Sequence, residues 1–193
     1  MWKLLKSTNN SFDCRKSRNF AAPYGINIKI EVMDALTLSP YIIAKSNLAG
    51  DGITNKKLQK LLYYIKAWGL VYFKDGILKD DFEAWVHGPV CPAVYQAYKK
   101  YGFNLINNDM PEEEALAIVN GFREKQVAEG CGDKMDLVDA VFDKYGQITS
   151  LQLELLTHQE DPWLEARQGL SPIENGNRVI SEESMRRFYG KAV

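Results

Sequence analysis

The chain has 193 residues, of which 46 % are apolar and 25 % are charged, and its formal net charge is −1. This size and composition suit one globular domain with a core of its own, and the near-zero charge does not favour electrostatic binding of nucleic acid by the whole molecule. Three widely spaced cysteines form neither a disulfide framework nor a zinc pattern, and no apolar run reaches the length of a membrane span or secretory signal, so we expect a cytoplasmic protein.

Residues 1–33 differ in composition from the rest of the chain. They carry six basic and two acidic residues, with clusters of Ser, Thr and Asn and no sustained hydrophobic period. This pattern predicts a poorly ordered basic extension, and Met33 is a candidate for the true translation start. The alternative is a basic arm that contacts nucleic acid or an acidic partner. Residues 34–193 are expected to form one compact domain.

The first helix of this domain is predicted over residues 38–48. Ser39 is the expected N-cap, and Pro40 stands where a first helical turn tolerates proline.

A second helix is predicted from Thr54, whose hydroxyl can cap it, to about Phe73. Apolar residues recur on one face at helical spacing, while lysines and tyrosines lie opposite, which is typical of a solvent-exposed face. Residues 67–73 are apolar nearly all round, so we expect that end to be the enclosed one. Gly69 weakens a helix and therefore indicates a close approach by another backbone.

An extended segment is predicted over residues 77–86. Gly88 and Pro89 are expected to end it, because proline has no amide hydrogen and restricts the residue before it. Pro92 then suits the first turn of a tyrosine-rich helix that Gly102 closes.

Further helices are predicted in the second half of the chain. Their expected starts are Pro111, Asp133, the capping box Thr149 to Gln152, Asp161 and Ser181. Residues 179–180 are expected to be extended. The predicted fold class is mainly α, a single compact domain of about seven or eight helices with one or two short β segments.

Three motifs follow one another in this chain. Residues 57–64 read KLQKLLYY, residues 83–90 read EAWVHGPV, and residues 94–101 read VYQAYKKY. Together they resemble the Panacea domain of the SocA-like antitoxin family, which also occurs in phage-associated proteins. The resemblance extends over residues 36–189, and an ordered set of motifs is far more specific than any one of them.

The resemblance implies an antitoxin that neutralises a cognate protein toxin, encoded by an adjacent gene, through direct protein–protein binding. Such a protein is not an enzyme and needs no cofactor or membrane. An adaptor that delivers the toxin to a protease is the alternative within the family.

We expect the toxin to bind where the second helix meets the loop after the extended segment, because a rigid helix beside an ordered loop forms a pre-organised groove. The residues predicted to bind it are Lys57, Lys60, Tyr63, Tyr64, His87, Gly88 and Pro89. The motif residues predicted to be structural are Leu58, Leu61, Trp85, Val90, Tyr95, Pro162 and Trp163. The competing interpretation is that all the motifs hold the fold and that variable loops contact the toxin.

A catalytic or metal site is the second hypothesis. His87 and Cys91 are four residues apart, but two ligands do not make a site, and a loop histidine with a backbone partner is the simpler interpretation. No local signal activates the thiol of Cys91 as a nucleophile. Glu83 is expected to pair with a cation such as Arg167. No common catalytic motif occurs, so no metal and no catalytic residue is predicted.

A nucleic-acid-binding autoregulator is the third hypothesis, based on the lysine face of the second helix and the basic arm. We consider it less favoured than a protein partner. The acidic stretch over residues 109–143 suits a solvated face, or a surface that meets a basic toxin.

Overall fold

The structure is a computed structural model that describes residues 32–192. Residues 1–31, which make up most of the predicted N-terminal extension, lie outside the described residues. The described part of the chain contains eight α-helices and one short antiparallel hairpin. The predicted mainly α fold class is therefore confirmed.

The elements follow the chain in this order: α1 Ala35–Leu48, α2 Asn55–Tyr72, β1 Glu83–Trp85, β2 Gly88–Val90, α3 Pro92–Tyr98, α4 Glu112–Ala128, α5 Gly132–Tyr145, α6 Ser150–Thr157, α7 Asp161–Ala166 and α8 Glu182–Gly190. A single 3₁₀ turn, Lys99–Tyr101, follows α3.

Helix α2 lies in the centre of the molecule. It packs against α1, α3, α5, α6, α8 and β2. The Thr54 hydroxyl accepts the amide of Lys57, as the N-cap prediction requires. The expected exposed face is wrong, because every residue from Leu58 to Ala67 is buried. The end expected to be enclosed is enclosed only in part, since Ala67, Gly69 and Leu70 are buried, whereas Trp68 and residues 71–73 are half-buried against the core.

Helix α1 begins three residues earlier than predicted. Its N-cap is Asp34, and the amide of Ala35 donates to the Asp80 carboxylate at 2.6 Å. Ser39 is therefore not the cap but lies inside the helix, where its hydroxyl donates to the Ala35 carbonyl. Pro40 also lies inside the helix, past the first turn, where it removes one helical hydrogen bond, and the helix nevertheless continues to Leu48.

Gly88 and Pro89 do not end the extended segment but form part of a second strand. In the hairpin, Ala84 pairs with Pro89 and Trp85 pairs with Gly88, so the turn consists of Val86 and His87. Gly88 has a φ of +92°, which residues with a side chain rarely adopt.

The outer edge of β1 is covered by the segment before α8. The amide of Ala84 donates to the Arg178 carbonyl at 2.9 Å, and the amide of Ile180 donates to the Phe82 carbonyl at 2.8 Å. The predicted extended conformation of residues 179–180 is thus confirmed. The predicted pair of Glu83 with Arg167 is wrong, because that guanidinium donates to the Ala84 carbonyl at 2.9 Å instead.

Several local signals are confirmed. Thr149 and Gln152 form the predicted capping box, Ser181 caps α8, and Pro111 precedes α4. Among the described residues, no helix has the length and apolar character needed to cross a membrane.

The close approach expected at Gly69 is present. A Cβ atom there would lie 3.0–3.2 Å from three atoms of Ile77, one of them the backbone nitrogen. That backbone is held in place, since the amide of Met33 donates to the Ile77 carbonyl at 2.9 Å.

We predict that Gly69→Ala lowers the free energy of unfolding by about 1–3 kcal/mol, because the methyl group overpacks a fixed backbone. Gly121→Ala is the matched control, since that position lies in α4 with open space around its Cα. There, removal of a helix-interior glycine should raise stability by about 0.5–1 kcal/mol. Urea denaturation of both variants checks the pair, and stabilisation at both positions would contradict the close approach.

Candidate functional site

An open cleft of about 1000 Å³ lies where the N-terminal half of α2 meets the hairpin. Helix α3 and the loop before α8 complete its walls. Its lining residues are Asn55, Lys56, Gln59, Lys60, Trp85, Val86, His87, Val90, Tyr95, Lys99, Gly102, Phe103, Asn175, Gly176 and Asn177. The lining thus contains three lysines, one histidine and three aromatic side chains, and no aspartate or glutamate.

Lys60 lies in the floor of the cleft beneath the hairpin. Its side chain is 1 % exposed, and Nζ donates to the Pro89 carbonyl at 3.1 Å. A Cβ atom on Gly88 would lie 2.7 Å from Lys60 Cε and 2.9 Å from Thr157 Oγ1. Only glycine therefore fits at position 88, both for its φ and for the lysine beneath it.

Glu154 joins two basic residues of the cleft from α6. Its carboxylate forms an ion pair with Lys56 and accepts a hydrogen bond of 3.0 Å from His87 Nδ1. Burial alone would raise the pKa of Glu154, but Lys56 and His87 outweigh it and hold the pKa below its usual value. The partner of His87 is thus a side-chain carboxylate, not the backbone group that was expected.

Burial also changes the pKa of Lys60. It lowers this pKa from 10.5 to about 7, against a smaller opposing effect of the Glu154 charge. Near neutral pH, the amine at the floor of the cleft is therefore present in both protonation states.

The aromatic side chains of the cleft differ in their exposure. Trp85 packs edge-on against Tyr95, with ring centroids 4.9 Å apart, and its indole nitrogen donates to Glu83 at 2.6 Å. Phe103, in the loop after α3, is 99 % exposed. An aromatic ring in this position adds nothing to the core and leaves an apolar contact open at the rim.

Most of the residues predicted to bind the toxin are buried. Of the seven, only His87 is exposed, whereas the structure buries Lys57, Lys60, Tyr63, Tyr64, Gly88 and Pro89. The structure brings Lys60 and His87 together at the cleft. The expected exposed tyrosine and lysine surface is wrong, because α2 has neighbours on all sides.

Tyr63 and Tyr64 point away from the cleft, towards α7 and α8. The Tyr64 hydroxyl donates to Glu160 at 3.0 Å, and the Tyr189 hydroxyl donates to the same carboxylate at 2.6 Å. Burial raises the pKa of Glu160 from 4.5 to about 7, although both hydroxyl groups oppose this change. The Tyr63 hydroxyl is buried and has no hydrogen-bond partner within the described residues.

The residues predicted to be structural divide into two groups. Buried ones are Leu58, Leu61, Val90, Pro162 and Trp163, whereas Trp85 and Tyr95 are half-buried and line the cleft. The indole nitrogen of Trp163 donates to the Trp85 carbonyl at 3.1 Å, which ties α7 to the hairpin.

The lysine patch expected for nucleic acid is not present on α2. Lys57 pairs with Asp51 at 3.1 Å, and the buried Lys66 pairs with Glu182 at 2.6 Å. Together with Lys60, these lysines hold other parts of the fold and are not free to contact phosphates.

The geometry does not favour a metal or thiol site. Within residues 32–192, no group of three His, Cys, Asp or Glu side chains could hold a metal ion. Cys91 is buried, and its burial raises the pKa of the thiol, which is the opposite of what a nucleophilic cysteine requires. Its amide donates to Gln59 at 2.8 Å.

Comparison with known proteins defines the class. The family described as antitoxin SocA-like, Panacea domain, matches residues 58–164, and the chain belongs to this family. The chain is also 29 % identical to antitoxin SocA of Caulobacter vibrioides (strain NA1000 / CB15N) over 136 residues. That match covers 68 % of this chain and 69 % of the relative. No solved structure matches the chain significantly.

We predict that Lys60→Met changes the pH dependence of stability. Between pH 7 and 10.5, Lys60 binds a proton in the unfolded chain but not in the folded one, so wild-type stability rises with pH there. A difference of one bound proton between the unfolded and folded chains changes the free energy of unfolding by at most about 1.4 kcal/mol per pH unit. Urea unfolding at several pH values should give a flatter profile for Lys60→Met than for Lys99→Met, which replaces an exposed lysine. Identical profiles would contradict the prediction.

We predict that Tyr64→Phe destabilises the protein more than Tyr63→Phe does. The first change removes a donor from a largely buried carboxylate and should cost about 1–3 kcal/mol. The second removes a hydroxyl without a partner at the next position of the same helix and should be close to neutral. Urea denaturation of both variants at pH 8 checks the prediction. Equal losses of unfolding free energy would mean that the Tyr64 hydrogen bond does not stabilise the fold.

Proposed function

We propose that this protein is an antitoxin that neutralises a cognate protein toxin by direct binding and not by catalysis. The observation that supports the proposal is membership of the SocA-like antitoxin family, together with a similarity to antitoxin SocA that covers about two thirds of both chains. The family match runs from α2 to α7 and therefore contains most of the cleft.

The shape and chemistry of the cleft support a protein partner. Aromatic rings and polar amides around an open groove are what a protein interface usually contains. The hairpin that forms one wall is held from below by Lys60 and from the side by Trp163. A partner would thus meet a surface that needs little ordering on binding.

We further propose that residues 34–193 are the antitoxin domain and that residues 1–32 are dispensable. The family match lies entirely within residues 34–193. The bound toxin is proposed to be the product of an adjacent gene.

We predict that this chain restores growth to bacteria in which the product of the adjacent gene is induced, and that the two proteins co-purify. The full chain is compared with an empty vector, and residues 33–193 form a third arm. Rescue by both forms would support the direct-binding antitoxin and its domain boundary. Toxicity without rescue, or rescue without a complex, would contradict neutralisation by binding.

A further inference from the structure

We propose that the cleft is the docking site for the toxin and that it receives an acidic, extended segment of that protein. This inference rests on the proposed antitoxin function and adds the site and the chemistry of the partner.

The charge of the cleft selects an acidic occupant. Lys56, Lys60 and Lys99 line it, and none of its 15 lining residues is an acid, while Glu154 outside the lining offsets the charge of Lys56. The whole chain has a formal charge of −1, so the cleft is a local basic region on a molecule that is not basic overall. Complementary charge steers a partner into such a region and disfavours partners of the wrong sign.

Lys60 lacks a carboxylate partner of its own. Its only described hydrogen bond goes to the Pro89 carbonyl, and no described carboxylate lies within ion-pair distance of it. Glu154 is the acidic residue whose charge acts on Lys60, but its carboxylate already pairs with Lys56 and His87. Lys60 is 1 % exposed, so a carboxylate in the cleft would act on it through its charge and not by direct contact, and would favour the protonated amine.

The aromatic residues of the cleft supply the apolar contacts. Phe103 stands fully exposed at the rim near Lys99, and Trp85 and Tyr95 form the half-buried wall. Aromatic side chains of this kind carry a large share of the binding energy at protein interfaces. The segment would therefore carry apolar side chains between its carboxylates.

Recognition must come from side chains, because the hairpin has no free edge. The outer edge of β1 pairs with the segment around Arg178 and Ile180. On the other side, the Pro89 carbonyl accepts from Lys60, and the Cys91 amide donates to Gln59. The occupant therefore lies across the cleft and does not add a strand to the sheet.

A peptide suits the cleft better than single-stranded nucleic acid does. Lys99 is exposed, Lys56 is partly exposed and paired with Glu154, and Lys60 is buried. Binding through the nucleic-acid backbone depends on cations that each neutralise a phosphate, and among the lysines of this lining only Lys99 is freely exposed.

The test uses variants of the full chain at the rim of the cleft, where the core is not disturbed. Lys99→Glu reverses an exposed charge, and Phe103→Ser removes the exposed ring. Two matched controls lie elsewhere: Lys74→Glu beyond the far end of α2, and Leu116→Ser on the exposed side of α4. Affinity for the purified adjacent-gene product is measured by calorimetry, alongside growth rescue.

We expect each cleft variant to weaken the complex at least tenfold, the double variant to lose rescue, and both controls to stay within twofold of wild type. A double variant that binds and rescues like wild type would overturn the docking site and leave the antitoxin function intact. If wild type itself neither binds nor rescues, the proposed function fails and this inference fails with it.

Carbodiimide cross-linking of the wild-type complex identifies the chemistry of the occupant. It joins lysine amines to carboxylates in direct contact, so we expect Lys99 or Lys56 linked to an Asp or Glu of the toxin. Links only between toxin lysines and the acidic residues of α4 and α5 would overturn the inference. A fluorescein-labelled oligo-dT that binds wild type, but not Lys99→Glu, would overturn it in favour of nucleic acid.

Discussion

The enclosure of α2 is the constraint on which the rest of the structure depends. This helix is surrounded by other elements, yet it carries lysines on the side where a simple amphipathic helix would meet water. Each buried lysine must find a partner, because an unpaired buried charge is costly. Lys60 therefore holds the hairpin through the Pro89 carbonyl, and Lys66 holds the Leu78 carbonyl and Glu182 at the start of α8. The amines at the ends of these side chains fix the loops around the helix, so the central helix also shapes the cleft.

Two ionisable side chains, Glu160 and Lys60, give the stability opposite pH dependences on either side of neutrality. From pH 4.5 to 7, the folded chain keeps a proton on Glu160 that the unfolded chain has lost, so stability falls as pH rises. From pH 7 to 10.5, the unfolded chain keeps a proton on Lys60 that the folded chain has lost, so stability rises. The contribution of this pair is therefore least favourable near pH 7. A carboxylate bound in the cleft near Lys60 would stabilise the protonated form of this lysine. Binding in the cleft would therefore raise the pKa of Lys60.

Local signals were predictable from the sequence, whereas contacts between distant segments were not. The Thr54 cap, the Thr149–Gln152 capping box and the close approach at Gly69 each depend on a few neighbouring residues whose chemistry is specific. The burial of α2 on all sides depends on five other helices. The hydrophobic periodicity of α2 does not indicate how many helices pack against it. The hydrogen bond from His87 to Glu154 spans 67 positions, and no pattern near either residue indicates it. Phe103 was not predicted as a site residue, because the sequence does not show whether a single aromatic residue in a polar loop is buried or exposed.

The motifs that identify the family contain both buried residues that hold the fold and residues that line the cleft. All of residues 57–64, together with Gly88 and Pro89, are buried, so they hold the hairpin and core in place. Lys99, Phe103 and Asn175 lie on the surface of the cleft and make no contribution to the core. Substitution at the rim would therefore alter the charge and shape offered to a partner while the buried lysines still fix the walls. A fold arranged in this way can retain its structure while its binding preference changes, since stability and recognition depend on different side chains.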